Sequence, residues 1–260
     1  MNTRAFLQRI DFKQSVTIDL ATLSQLQQQF LFNVPFENLS IQQQKPLDYR
    51  PSAVFNKVVE RKQGGVCYEL NSLFCDALQA LGFKARIIAA QMWPDKKARA
   101  DWDYNHMAVI VKLAGKEYLV DVGNGIYLGK PLAIAGGDYA ECEGLRFHCE
   151  AYDDEHLVLL TEPLASIQDR SEQQVLVQRY VFKPKGAMRE DFKPACHYVE
   201  TSPDSVFVQK LVVTRWTEQG RITLSDNTFI ETDLAQNRTE TAVADTERNT
   251  LLKDKFALEL

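Results

Sequence analysis

From Asp19 onward the apolar positions recur at helical spacing. Leu20, Leu23, Leu26 and Phe30 share one face, with glutamine-rich polar positions between them. "NVPFENLS" breaks that pattern at Pro35. A second helix is predicted from Ser52 as N-cap, carrying Phe55, Val58 and Val59 and ending at Gly64-Gly65. The strongest pattern follows. Leu70, Leu73, Phe74, Ala77, Leu78 and Leu81 fall on one helical stripe, and Gly82 is placed as the residue that ends it.

After Gly82 the period changes to that of strands. "ARIIAAQMW", "HMAVIVKL", "EYLVDVG", "HLVLLTEP" and "QVLVQRYVFKP" are short apolar or β-branched runs split by turn residues. "FVQKLVVTRWTEQGRITLSDNTFIET" predicts two or three more strands, with turns at Gln219-Gly220 and Asp226-Asn227, and "DTERNTLLKDKFALEL" predicts a final helix. The acidic, polar stretch from Gly136 to Glu155 is expected as a surface excursion.

Composition narrows the function classes. The 260 residues are 45% hydrophobic and 25% charged, ordinary for a globular chain. A net charge of −5 argues against a nucleic-acid partner, which calls for a basic face. No apolar run approaches the ~18 residues of a membrane span. The N-terminus lacks a secretory apolar core, and the five cysteines are odd in number and unpatterned. These features predict a cytoplasmic protein with free thiols and no membrane association.

The candidate chemistry sits where helix and strand patterns meet. In "RKQGGVCYELN", Cys67 opens the strongest helix. Unpaired N–H groups and partial positive charge at a helix N-terminus favour thiolate, the nucleophilic form. The bland alternative is a small buried cysteine at a helix start. His106 opens "HMAVIVKL", and Asp121 lies in the next strand. A two-residue turn at Ala114-Gly115 sets Leu113 opposite Lys116, Ala108 opposite Asp121 and His106 opposite Gly123. His106 and Asp121 then share a face as diagonal neighbours, within reach of a hydrogen bond. A four-residue loop keeps that register; a three-residue loop moves them to opposite faces. Read singly, each residue is more simply a turn or strand-end group. Together the three form a nucleophile, a base and its orienting carboxylate. His148, Cys149 and Cys142 match no zinc spacing, so no metal is expected. Cys196-His197 is an adjacent pair whose side chains would diverge on a strand.

"RKQGGVCYELN", "NHMAVIV" and "YLVDVGNG", in this order, resemble the three motifs of the arylamine N-acetyltransferase family. The resemblance continues in "VPFENLSI" and "LFCDALQALGFKARII", and in "HYVETSPDSVFVQKLVVTR" followed by "GRITL"; it is weakest from about Gly136 to Pro194. It implies an α+β fold with a cysteine-protease-like core. A helical N-terminal domain (1–84) would bear the cysteine, a β-barrel domain (85–190) the His and Asp, and an α/β lid would form 191–260. It implies a Cys67–His106–Asp121 triad, acetyl-CoA as acetyl donor, and a ping-pong cycle through acetyl-cysteine. The acceptor would be a small aromatic amine, hydrazine or N-hydroxyarylamine, and the enzyme a monomer or homodimer.

The same resemblance places Tyr198, Gly123, Gly125 and Asp103 beside the cofactor, with Asp204 at a polar contact. It places Phe36, Asn124 and Phe207 around the acceptor. Plain core packing is the alternative for the aromatics, and a solvated turn for Asp204. Three departures stand out. Gln63 interrupts a basic run before Gly-Gly, Asn124 replaces an aromatic or serine, and "DWDYNH" brings Trp102, Tyr104 and two aspartates before the histidine. Trp102 and Tyr104 are expected to crowd the cleft mouth. The competing readings are an amide synthase or thiol hydrolase with another acyl donor, and a binding protein that keeps only the fold.

Overall fold

The computed structural model describes residues 1–92, 104–125, 128–142, 144–164 and 176–258. The chain opens with helices α1 (Thr3–Arg9) and α2 (Leu20–Asn33), then strand β1 (Phe36–Glu37). Helices α3 (Leu39–Gln42), α4 (Pro51–Phe55) and α5 (Cys67–Ala80) follow. Asp19 caps α2 by accepting from the Thr22 N–H at 2.8 Å. Helix α4 begins one residue before the expected Ser52 cap, with Arg50 as N-cap and Pro51 in the first turn, where its missing N–H costs nothing. It runs into a π-turn, Asn56–Glu60, that buries Lys57, Val58 and Val59. Helix α5 starts at Cys67 as expected, and Gly82 takes φ +101° just past its end. Phe74 on α5 packs on Phe30 of α2 (5.2 Å between ring centroids) and Phe6 of α1 (6.3 Å), joining the three helices in one core.

Eight strands form a barrel-like sheet. They are β2 (Lys84–Met92), β3 (His106–Leu113), β4 (Lys116–Val120), β5 (Leu132–Ala133), β6 (Ala140–Cys142), β7 (Leu145–Ala151), β8 (Leu157–Pro163) and β9 (Val177–Gly186). Their order is β5-β4-β3-β2-β9-β8-β7-β6. The β3–β4 hairpin has the expected register, with Leu113 opposite Lys116 and Val109 opposite Val120. Ala114 (φ 48°) and Gly115 (φ 82°) both lie in the left-handed region that a tight two-residue hairpin requires.

The stretch from Gly136 to Glu155 is not a surface excursion. It contributes β6 and β7, with Ala140 and Phe147 buried opposite one another. Glu141 on β6 and Glu150 on β7 are exposed, and this acidic character masked the strand alternation. The pair Cys196-His197 lies on helix α6 (Lys193–Thr201) rather than a strand; α7 (Val206–Gln209) follows it.

The C-terminal region builds a second sheet from β10 (Val212–Thr217), β11 (Gly220–Ser225), β12 (Thr228–Asp233) and β13 (Arg238–Ala242), closed by α8 (Asp245–Phe256). The β10–β11 turn is Glu218-Gln219, one residue earlier than expected, because Thr217 pairs with Gly220. β1 is the outer strand of this sheet, with Phe36 opposite Thr214 and Glu37 opposite Val213. A segment next to the Gly64-Gly65 loop is thereby tied to the C-terminal sheet, since Glu37 N–H also donates to Gly65 O at 3.0 Å.

Candidate active site

Cys67 is the first residue of α5, and its helix packs on β2 and β3, the strand that His106 opens. Asp121 follows β4 directly. The hairpin register predicts His106 and Asp121 on one face, and His106 Nε2 lies 2.7 Å from Asp121 Oδ2. The second ring nitrogen, Nδ1, is therefore the one left for the Cys67 thiol, with which His106 also hydrogen-bonds. All three residues are buried.

Four donors converge on the Asp121 carboxylate. Oδ1 accepts from Asn71 Nδ2 at 2.9 Å and from the Gly123 N–H at 3.0 Å. Oδ2 accepts from Tyr180 Oη at 3.1 Å as well as from His106. Burial alone would push the Asp121 carboxyl up, but His106 and these hydrogen bonds hold it below the usual carboxylate range. Burial likewise opposes an imidazolium at His106, yet Asp121, followed by Cys67, pushes its pKa up to about 10. The geometry thus holds a proton on the imidazole across neutral pH, beside the sulfur.

Sequence reasoning missed two of these groups. Asn71 lies one turn after Cys67 on α5; its Nδ2 also donates to Met107 O at 2.6 Å, and its Oδ1 accepts from the Val122 N–H at 2.9 Å. It clamps the nucleophile's helix to the strands that carry His106 and Asp121. The i, i+4 spacing from Cys67 was a signal available in the sequence. Tyr180 comes from β9, with its ring 5.2 Å from that of His106. No local pattern marks it.

Gly123 is a close-approach position. A Cβ there would lie 2.7 Å from Cys67 Cα and 2.6 Å from Asn71 Nδ2. Gly125 (φ +76°) lies against Thr214 and Phe36, and its carbonyl accepts from Thr214 Oγ1 at 3.4 Å. Phe36 and Phe207 pair at 5.7 Å. With Met92, Asn124 and Thr214 they line one end of a cavity of about 610 Å³. Asn124 donates to Met92 Sδ at 3.8 Å. Tyr198 is half-buried on α6 and lies outside the lining of this cavity; Asp204 is exposed. Asp103, Asp101 and Trp102 lie outside the described residues. Tyr104 is half-buried: its ring packs 6.0 Å from Phe192, and its carbonyl accepts from Tyr68 Oη at 3.5 Å.

Beneath the Gly64-Gly65 loop lies a buried charged cluster. Lys57 Nζ is 3.0 Å from both Glu69 carboxylate oxygens and 3.4 Å from Glu37 Oε1. Glu69 Oε2 accepts from the Val66 N–H at 3.1 Å, so the cluster holds the residue just before Cys67. A Cβ on Gly65 would meet Glu69 Oε2 at 2.6 Å, which is why the loop passes here as glycine. Burial raises the Glu69 carboxyl although Lys57 opposes it; for Lys57 the two carboxylates outweigh burial and raise the ammonium. Lys57→Met leaves two buried carboxylates facing each other without a cation. It is expected to lower the unfolding free energy by about 3–5 kcal/mol. Urea titration checks this, and a loss under 1 kcal/mol contradicts the cluster's role.

The family model for N-acetyltransferases matches residues 19–260. The liver isozyme of arylamine N-acetyltransferase from Gallus gallus is 31% identical over 285 residues, covering 100% of this chain and 96% of that protein. Among solved structures, an arylamine N-acetyltransferase from Bacillus cereus overlays with a TM-score of 0.86 at 22% identity, covering 100% of both chains. That enzyme is described as having a unique Cys-His-Glu catalytic triad. The Mycobacterium marinum arylamine N-acetyltransferase in complex with CoA overlays at 0.84, with 25% identity over 98% of this chain and 92% of that one. This chain belongs to the arylamine N-acetyltransferase family. Its fold has the helical, barrel and lid layout of those enzymes.

Proposed function

We propose that the protein transfers an acetyl group from acetyl-CoA to an arylamine, arylhydrazine or N-hydroxyarylamine through an acetyl-Cys67 intermediate. One observation carries the chemistry: His106 is fixed by Asp121 on one ring nitrogen and meets the Cys67 thiol with the other. The family and the CoA-bound mycobacterial relative support the donor.

Cys67 gives its proton to His106, and the thiolate attacks the acetyl carbon. The carbon–sulfur bond to CoA breaks, and the departing CoA thiolate takes the proton from the imidazolium. The amine nitrogen then attacks acetyl-Cys67. His106 takes the amine proton, and Cys67 leaves as thiolate, restoring the starting pair. A thioester exchanges readily with a thiolate, so the intermediate forms without a large change in bond energy. In this reading the backbone N–H groups at the start of α5, beside Cys67, stabilise the developing oxyanion. Phe36 and Phe207 offer aromatic faces to the acceptor, and Asn124 adds an amide to that wall, favouring acceptors with a polar ring substituent.

Steady-state rates with acetyl-CoA and 4-methoxyaniline varied together are expected to give parallel double-reciprocal lines. Intersecting lines would mean both substrates bind before chemistry and would remove the acetyl-enzyme. Acetate release at the full rate without amine would place the protein among thiol hydrolases.

A further inference from the structure

The peptide unit that follows Asp121 is held at both edges by side chains from two helices. Its N–H, on Val122, donates to Asn71 Oδ1 of α5 at 2.9 Å. Its carbonyl, on Asp121, accepts from Gln27 Nε2 of α2 at 3.5 Å. Gln27 Nε2 also donates to the carbonyl of Leu128. One amide on α2 thus ties together two separate points of the connection between β4 and β5.

Gln27 has no exposed surface, and the buried residues around it on α2 are Leu23, Leu26, Phe30 and Leu31. The direction of its amide is fixed, because turning it over would press Oε1 against two carbonyl oxygens. In the observed direction Oε1 has no partner among the described residues. A buried amide with an unpaired oxygen costs desolvation that a methionine or leucine would not. What the amide adds is its grip on the two carbonyls.

The gripped segment has little else to fix it. Asp121 lies just beyond the end of β4, outside the ladder with β3. Leu128 has φ +61°, a left-handed conformation that a leucine keeps only where its surroundings impose it. Holding the peptide plane after Asp121 fixes the backbone torsion on that side of its Cα. It thereby fixes the direction in which the side chain leaves the plane toward His106 Nε2, 2.7 Å from Oδ2.

We propose that Gln27 is a positioning residue for the reaction: with Asn71 it clamps the peptide unit after Asp121 and so aims the carboxylate at His106. This rests on the Cys67–His106–Asp121 reading of the site. Gln27 touches no reacting atom, and its effect passes through Asp121.

The test uses the full-length protein with Gln27→Met, which keeps the length of the side chain and removes the donor, and with Gln27→Leu as a second apolar variant. Both are expected to fold, as judged by circular dichroism. With acetyl-CoA and 4-methoxyaniline, kcat is expected to fall about tenfold to a hundredfold, while both KM values stay within about threefold. The burst of Cys67 acetylation by p-nitrophenyl acetate, which needs neither CoA nor amine, is expected to slow by a similar factor. His106 faces Asp121, Cys67 and Tyr180, and nitrogen-15 spectra of its ring are expected to show the proton leaving about one pH unit lower than in the wild type. A role in stability alone would shift the thermal midpoint and leave these readouts unchanged. Folded variants with kcat and burst rate within about twofold of wild type and an unshifted His106 titration would overturn the proposal. Failure of both variants to fold would also overturn it, making Gln27 a structural residue. If the wild type acquires no acetyl group on Cys67, the transferase reading fails, while the His106 titration still decides whether Gln27 aims Asp121.

Discussion

Cys67→Ala is expected to reduce acetyl transfer to the uncatalysed background, a loss on the order of 10⁶ in kcat. The loss is this large because the sulfur is the atom that carries the acetyl group, so His106 and Asp121 cannot substitute for it. The fold should survive. The side chain is small, and the packing at that point depends on Gly123 against the Cys67 backbone and on Asn71, both left in place. Circular dichroism and the thermal midpoint are expected to stay close to wild type. Substantial residual turnover in a folded Cys67→Ala protein would place the nucleophile elsewhere.

Asp121→Asn is expected to lower kcat by about 10⁴ while leaving the substrate KM values within a few-fold. Both carboxylate oxygens accept two donors each. An asparagine must turn its NH₂ toward one of those pairs. Facing His106 and Tyr180, it donates to Nε2 and forces the ring proton onto Nδ1, the nitrogen that must accept from Cys67. Facing Asn71 and Gly123, it meets two donors with a third, and the clamp between α5 and the hairpin is lost. The substitution also removes the charge that raises His106. Burial then dominates and drives its pKa down from about 10 toward and below the ordinary histidine value. Nitrogen-15 spectra of the ring should show an imidazolium across neutral pH in the wild type and a neutral ring in the variant. An unchanged titration would mean Asp121 does not set the state of His106.

The same pair links stability to pH. The raised His106 pKa contributes stability fully below about 6.5, fading as pH rises toward about 10. The lowered Asp121 pKa contributes above about 3.9 and fades as pH falls through its depressed value. The stability difference between wild type and Asp121→Asn should therefore be greatest from about pH 4 to 6.5 and should shrink toward pH 10.

Short-range rules made much of this site legible. Helical periodicity and the Gly-Gly break placed Cys67 at a helix start. A two-residue turn was enough to put His106 and Asp121 on one face, because strand alternation admits only two choices and the turn selects between them. The remaining parts depend on contacts between distant segments. Tyr180 reaches Asp121 from 59 residues away, with no local pattern to mark it. Nothing in the local pattern around Val58 and Val59 marks Lys57 as buried. The π-turn widens the helix and swings it inward, so it supplies a buried cation near the loop where Gln63 interrupts the basic run. Strand β13, "RTETA", is exposed along its whole length and carries no alternation to read. Helix α6 contains Pro194 at its first turn and few apolar residues, so a strand reading of Cys196-His197 was equally open.

Intact-protein mass spectrometry after mixing with acetyl-CoA, in the absence of any amine, tests the central claim most directly. One acetyl group is expected on the protein, located on Cys67 by peptide mapping, absent from Cys67→Ala, and lost when 4-methoxyaniline is added. No adduct, or an adduct on another residue that persists when the amine arrives, would contradict transfer through acetyl-Cys67.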